Sequence, residues 1–292
     1  MENSPDNNPS YYKDGSEPNL SDYKKIVQEK ERFQKILENK VKELDRSNRE
    51  LEEFAYVASH DLQEPLRKIT SFSERLKEKL PANLEPEIQM YLNRMLAATN
   101  NMRMLIDNLL EFSRISTHGE PFTTTDLNSI IAEVKADLEL KIEETRAVIQ
   151  SETLPVIDAI PMQMRQLFTN LFSNAIKFRR PNDVPRIMVS SSIFGKEEKE
   201  VHHMRPDDNV YMISVTDNGI GFEQEFSAKI FQIFQRLHGK AEYPGSGIGL
   251  AICKKIVENH KGEISALGDP ATGATFNIVL PQFQTEPHDS NK

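Results

Sequence analysis

Apolar residues in the first third of the chain recur at spacings that alternate between four and three. The series runs Leu37, Val41, Leu44, Asn48, Leu51, Ala55 and Ala58, and continues through Leu62, Leu66, Ile69, Leu76 and Leu80. So narrow a stripe between heavily charged flanks is a heptad seam rather than the broad face of a helix lying on a globular core. Asn48 is the kind of polar seam residue that fixes register in a two-stranded coil, so the pattern predicts parallel pairing of two copies. The stretch "PANLEP" then breaks the helix with two prolines, and a second series follows: Ile88, Tyr91, Met95, Ala98, Met102, Leu105, Leu109 and Phe112. Two helices joined by a short turn form an antiparallel hairpin, and a hairpin paired through its first helix closes into a dimeric four-helix bundle. The bundle is expected to end near Ser116.

After "STHGEPF" the period becomes mixed. The pattern predicts a helix from Leu127 to about Glu143, a short β-rich stretch around "AVIQSETLPVIDAI", and a strongly apolar helix from Pro161 to Phe178. Strands are expected at "PRIMVSSSIF" and "VYMISVTD", then a glycine-rich segment to Gly249, a helix to His260, and paired strands at "GEISALG" and "GATFNIVL". The sum is an α+β two-layer sandwich with one sheet covered by helices. "GKEEKEVHHMRPDDN" reads as a solvated hairpin loop, and its adjacent His202 and His203 lack a plausible third metal ligand. The chain therefore divides into a polar, disordered tail over 1–20, a coiled coil over 21–53, the bundle over 54–118, the sandwich over 119–283 and a second tail over 284–292.

Charge and cysteine content narrow the class. Among 292 residues, 45 Asp and Glu outweigh 36 Lys and Arg, so a net charge of -9 disfavours nucleic acid and anionic membrane surfaces as partners. The single Cys253 excludes an internal disulfide and a cysteine-rich metal site, which fits a cytoplasmic protein. No run approaches the roughly 20 apolar residues of a membrane span.

Candidate chemistry begins with "FAYVASHDLQEPLRKI". With Ala55 and Ala58 on the seam, His60 falls at the heptad position farthest from the pairing axis and faces solvent. A surface histidine on a helix is commonplace, but three neighbours set this one apart. Asp61 can orient or deprotonate one ring nitrogen, leaving the other as a nucleophile. Pro65 cannot donate to the carbonyl of Asp61 and should loosen the helix there. Ala55, Ala58 and Ser59 are small enough to let a large partner approach.

A nucleophile without a pocket needs its electrophile delivered by another domain. In "QLFTNLFSNAIKF", Asn170, Asn174 and Lys177 share one helix face beside the apolar stripe of Leu167, Leu171 and Ala175. Two amides and an ammonium in line suit a metal-bound polyphosphate. "DNGIGF" ends a strand with Asp217, which can accept from an exocyclic amine such as adenine's, and Gly219 and Gly221 allow close approach or positive φ. "PGSGIGLAI" sets Gly245, Gly247 and Gly249 before a helix whose first amides attract phosphate. That glycine pattern alone is weak and lacks the βαβ context of a dinucleotide fingerprint. The ordered set carries the weight.

Together these motifs resemble those of the sensor histidine kinases of two-component signalling. The segment at His60 is similar to their histidine box, "NLFSNAIKF" to the N box, "IFQIFQRL" to the phenylalanine box, and "DNGIGF" and "GSGIGL" to the two glycine boxes. The likeness spans about Leu37 to Leu280, and the histidine box is especially similar to that of kinases following phytochrome-like or PAS sensors. It implies a dimerisation and phosphotransfer bundle joined to a Bergerat-type ATP-binding domain. By that likeness Asn174 carries Mg2+, Asn170 and Lys177 lie near metal and phosphates, Asp217 binds adenine, Arg236 reaches the terminal phosphate, and 222–243 form the ATP lid. His60 is then phosphorylated from Mg-ATP, with Asp61 as base or orienter, and passes its phosphoryl group to an aspartate of a response regulator. Glu64 stands where many relatives have Thr or Asn, which puts strong phosphatase activity in doubt. Too few residues precede the seam for a sensor domain, so the signal is expected from a separate sensor protein or from a region removed from this chain.

Two other readings remain: a related ATPase that never touches His60, or a non-catalytic dimeric scaffold. The first has no need of the His60–Asp61 pair, and the second has no need of Asn174, Asp217 and both glycine clusters.

Overall fold

The computed structural model describes residues 20–80, 85–117, 120–201, 209–237, 243 and 245–284. All but residues 20 and 284 of the expected terminal tails, most of "PANLEP", His202, His203 and part of the expected lid lie outside these residues. The segment up to Leu51 and the remainder from Glu52 are separate compact units. Within the first, α1 (Leu20–Lys79) is a solvent-exposed helix on which Leu37, Val41 and Leu44 are uncovered. The side chains of Asn48, Leu51 and Ala55 lie outside the description.

In the second unit, α1 continues through Pro65, and α2 (Pro86–Thr117) returns antiparallel to it. Gln63 Nε2 donates to Asp107 Oδ1 at 2.9 Å and Lys77 Nζ to Asn93 Oδ1 at 3.3 Å, which ties the hairpin at two levels. Apart from Leu66, the contact within the hairpin is not the apolar series read from sequence. It uses Ser59, Leu66 and Ser73 of α1, seven residues apart, and Leu92, Thr99, Ile106, Leu110 and Ser113 of α2, all buried. Leu66, expected on the pairing seam, instead clusters with Ile106 and Leu110. Small side chains on this face let the helices approach, and Thr99 satisfies its hydroxyl by donating to the carbonyls of Met95 and Leu96. Leu62, Ile69, Leu76, Ile88, Tyr91, Met95 and Met102 remain exposed.

Beyond α2 the chain forms two sheets. A small antiparallel pair joins β1 (Thr123–Asp126) to β3 (Val156–Ala159). The main sheet has the order β2-β4-β5-β7-β6, built from β2 (Val148–Ser151), β4 (Arg186–Ile193), β5 (Val210–Asp217), β6 (Glu263–Asp269) and β7 (Gly273–Pro281). Only the β2–β4 pair is parallel. Helices α3 (Leu127–Asp137), α5 (Pro161–Lys177) and α7 (Gly249–Asn259) bury their apolar faces against one side of this sheet. Ile187, Val189, Ile213, Val215, Phe276 and Ile278 point into that core, as the two-residue strand period requires. The opposite face carries cross-strand pairs such as Ser214 with Asn277 at 2.8 Å and a small separate cluster of buried Phe194, Val210 and Val279.

The expected helix over 127–143 breaks in two. Leu138 leaves helical geometry at φ -97°, ψ 5°, and α4 (Glu139–Thr145) follows, stopped by Arg146 in the left-handed region at φ 56°. The expected β-rich stretch supplies one strand to each sheet. The segment read as a hairpin loop begins with a short helix, α6 (Lys196–Val201), whose start is fixed by Gly195 N–H donating 2.6 Å to Glu198 Oε2 in a capping arrangement.

Candidate active site

The candidate residues fall into two sites. On the hairpin, the His60 side chain is 73% exposed, with Nδ1 3.3 Å from the equally exposed Asp61 Oδ1. Pro65 supplies no N–H to the turn below, leaving the carbonyl of Asp61 without its helical donor. Glu64, four residues after the histidine, is held by Lys68 Nζ at 2.7 Å, which draws its carboxyl below the usual range.

The second is a cavity of about 690 Å³ between α5, the end of β5, the start of α7 and the segment between them. The half-buried side chains of Asn170, Asn174 and Lys177 open onto it, because the 3.6-residue period that sinks Leu167, Leu171 and Ala175 into the core turns these three to the rim. At one end lies Asp217, the last residue of β5, which accepts the Gly219 amide at 2.8 Å. Burial pushes its carboxyl up, against the pull of amides from Gly219 and Ala274. A buried carboxylate with acceptor capacity left over suits a neutral N–H donor.

The glycines around Asp217 serve different ends. Gly219 does not line the cavity; it fits a tight turn that Arg180 braces from behind, with Nε donating to the Gly219 carbonyl at 3.0 Å and Nη2 to that of Pro270 at 2.9 Å. Gly221 adopts φ +61°, where a Cβ would collide with the Asp269 carbonyl.

Two cations also line the cavity. Burial lowers the Lys177 ammonium below its usual range, and the neighbouring Arg236 guanidinium lowers it further. Lys177 Nζ also sits 4.0 Å over the Phe178 ring, and Phe178 packs on Tyr243 with centroids 5.0 Å apart. Arg236 Nη2 donates to the Tyr243 carbonyl at 2.6 Å. Gly245 leaves room for Lys177, since a Cβ there would lie 3.1 Å from Nζ, and Gly247 at φ +75° lets the chain pass the Gln235 carbonyl. Gly249 opens α7 and accepts from Asn170 Nδ2 at 3.3 Å, which locks the two helices at the rim. The cavity thus offers a hydrogen-bond acceptor, two cations and a helix amino terminus, with Ile220, Ile252 and Phe276 among the apolar walls.

All the sequence-derived residues of the sandwich except Gly219 line this cavity, while His60 and Asp61 stand apart on the hairpin. Sequence reasoning placed Tyr243 only at the end of the expected lid and missed Arg180 behind the turn, and it missed the cavity-lining Phe178, Ser246 and above all Met104 and Asn108 of α2. Nothing local in the sequence marks those two. Among the described residues no His, Cys, Asp and Glu side chains cluster for a metal, and no helix is long and apolar enough to cross a membrane.

The chain matches two family models: "His Kinase A (phospho-acceptor) domain" over residues 50–118 and "Histidine kinase-, DNA gyrase B-, and HSP90-like ATPase" over residues 159–284. It is 39% identical over 239 residues to cyanobacterial phytochrome A of Nostoc sp., covering 82% of this chain and 29% of that protein. It is 36% identical to phytochrome-like protein Cph1 of Synechocystis sp., covering 82% of this chain and 30% of that one. The chain therefore spans under a third of the length of these relatives. Among solved structures, full-length ShkA in complex with AMPPNP shares the fold at TM-score 0.57 and 21% identity, over 78% of this chain and 45% of that one. Histidine kinase ThkA in complex with response regulator protein TrrA does so at TM-score 0.52 and 23% identity, over 79% and 61%. With the hairpin matched by the phospho-acceptor family model and the sandwich from residue 159 onward by the ATPase family model, the protein belongs to the sensor histidine kinases.

Proposed function

We propose that this chain autophosphorylates His60 from Mg-ATP and passes the phosphoryl group to an aspartate of a response regulator. The observation that carries the reading is the His60–Asp61 pair: an exposed imidazole whose Nδ1 faces a carboxylate. That contact favours the tautomer with its proton on Nδ1, which leaves the Nε2 lone pair facing outward as the nucleophile.

In the cavity, Asp217 accepts from the adenine amine, and the phosphates run toward the amino terminus of α7. Lys177 and Arg236 offset charge that builds on the transferring group. Arg236 exchanges its contact with the Tyr243 carbonyl for a phosphate oxygen. Asn174 presents a hard amide oxygen at the rim beside Lys177, and Asn170 stands one turn earlier, so these amides would hold a magnesium ion that arrives with the polyphosphate. Magnesium bound there would neutralise phosphate charge.

His60 Nε2 attacks the γ-phosphorus while the bond from that phosphorus to the β-bridging oxygen breaks, and ADP leaves with the electron pair. The imidazole becomes cationic, and its Nδ1 proton passes to Asp61. The resulting phosphoramidate is a good donor, so transfer to a regulator aspartate needs positioning more than strong chemistry. A complex of the related ThkA with its regulator TrrA supports such a partner. Glu64, tied to Lys68, offers no hydroxyl or amide to orient a water, which favours kinase over phosphatase action.

The exposed stripe of Leu62, Ile69 and Leu76 with Ile88, Tyr91, Met95 and Met102 forms the homodimer face, completing a four-helix bundle. We place the protein in the cytoplasm, where ATP and a regulator meet it. The test is incubation with γ-labelled ATP and magnesium. Acid-labile, alkali-stable label on wild type, lost in His60→Gln and in Asn174→Ala, supports the kinase. ATP turnover without label, unaffected by His60→Gln, would show an ATPase instead.

A further inference from the structure

We propose that Asn108 of α2 is a positioning residue of the nucleotide site, fixing the Ser246 hydroxyl so that it donates to a phosphate. The inference rests on the nucleotide reading of the cavity. Ser246 lies between Gly245 and Gly247, just before α7, and lines the cavity together with Asn108 and Met104.

A serine hydroxyl has one proton to give and two lone pairs to accept with. Here Ser246 Oγ accepts from Asn108 Nδ2 at 2.7 Å and from the Ile248 amide at 3.3 Å. Both acceptor positions are occupied, so the hydroxyl proton is left for a third partner. A donor fixed at the start of a helix, beside Lys177 and Arg236, suits a phosphate oxygen. Without Asn108 the hydroxyl rotates, and part of the preorganisation is lost.

Asn108 does not belong to the sandwich. It comes from the hairpin, held near the cavity because Leu105 and Phe112 of the same helix pack on the sandwich core. Lys255 Nζ lies 4.4 Å over the Phe112 ring, and Gln163 Nε2 donates to the Ile115 carbonyl at 3.2 Å. The hairpin therefore supplies one group of the nucleotide site. By linkage, any movement of α2 that breaks the Asn108–Ser246 bond weakens nucleotide binding, and bound nucleotide resists that movement to the same degree.

The experiment is calorimetric titration of the full chain with Mg-AMPPNP and, separately, adenosine, which has no phosphate. The variants are Asn108→Ala, Asn108→Asp, Ser246→Ala and the Asn108→Ala/Ser246→Ala pair. One lost hydrogen bond predicts about a 3- to 10-fold weaker Kd for AMPPNP in Asn108→Ala, with adenosine unchanged. Asn108→Asp should lose more, because a carboxylate takes the serine proton and repels phosphate. The double variant should bind no worse than Ser246→Ala alone, since Asn108 acts through Ser246. An unchanged AMPPNP affinity in Asn108→Ala, an equal loss for adenosine, or additive losses in the pair would overturn the proposal. Failure of the unaltered chain to bind AMPPNP would overturn the nucleotide reading beneath it.

Discussion

The backbone of Gly219 lies so close to Phe178 that a Cβ on the glycine would sit 2.7 Å from the Phe178 carbonyl oxygen and 2.7 Å from Asp217 Oδ1. The same Phe178 carbonyl accepts the Ile220 amide at 2.9 Å, so neither side of the turn has room to yield. Gly219→Ala should displace the Asp217 carboxylate from its place at the end of the cavity. Overpacking of this kind costs about 1–3 kcal/mol of stability. The larger effect is expected on nucleotide affinity. Thermal melts with and without Mg-AMPPNP should show a modest loss of Tm and a near-complete loss of the nucleotide-induced rise. A normal nucleotide-induced rise would show that the turn does not position Asp217.

The two faces of the hairpin should respond differently to substitution. Leu66 is buried against Ile106 and Leu110, whereas Leu62 is 53% exposed. Leu66→Ala should cost about 2–4 kcal/mol by removing buried methyl groups, and should lower the melting temperature of the helical signal. Leu62→Lys should leave the packing within one chain intact and shift the monomer–dimer equilibrium toward monomer, as measured by sedimentation equilibrium. A dimer unaffected by Leu62→Lys would contradict the pairing face.

His260 gives the sandwich a defined response to acid. Its ring is buried beside Phe122, with Nδ1–H donating to the Ile256 carbonyl at 2.7 Å and Nε2 accepting the Ile160 amide at 3.0 Å. Burial holds its pKa below the ordinary value of 6.5, while the hydrogen bond to Ile256 opposes that shift. The unfolded chain therefore takes up the proton first as pH falls. The stability linked to neutral His260 is fully present above about pH 6.5 and is lost as pH drops toward the folded pKa, by at most about 1.4 kcal/mol per unit. Between pH 7.5 and 5.5 the wild-type Tm should fall more steeply than that of His260→Gln. Parallel curves would mean that another group sets the acid response.

Legibility in sequence followed the range of the interaction. Asn170, Asn174 and Lys177 were visible because one helix face places them by period alone. Gly221 and Gly247 were visible because a positive φ is a local demand. The break at Leu138 was hidden, because a buried leucine keeps the apolar period running across it, and Arg146 ends α4 in a conformation usually left to glycine. The hairpin's inner face escaped notice because Ser59, Ser73, Thr99 and Ser113 make up half of it, and an apolar template passes over them. β1 has only four residues and pairs with a strand over thirty positions away. Asn108 could not be assigned to the cavity, because its contact with Ser246 spans 138 residues and depends on how the two domains pack.

The geometry at His60 admits one further distinction. Asp61 faces Nδ1, so the phosphoryl group should form on Nε2. Asp61→Asn, which keeps the shape but cannot take the proton, should slow autophosphorylation about 10²- to 10⁴-fold, with nucleotide affinity unchanged. Equal rates would remove Asp61 from the chemistry.

The most direct measurement is phosphorus NMR with fragment mass spectrometry on the full chain after reaction with Mg-ATP. The result expected is a single phosphoramidate on His60, bonded through Nε2. Phosphate on another residue, on Nδ1, or nowhere on a chain that hydrolyses ATP would contradict the assignment of His60 as the nucleophile.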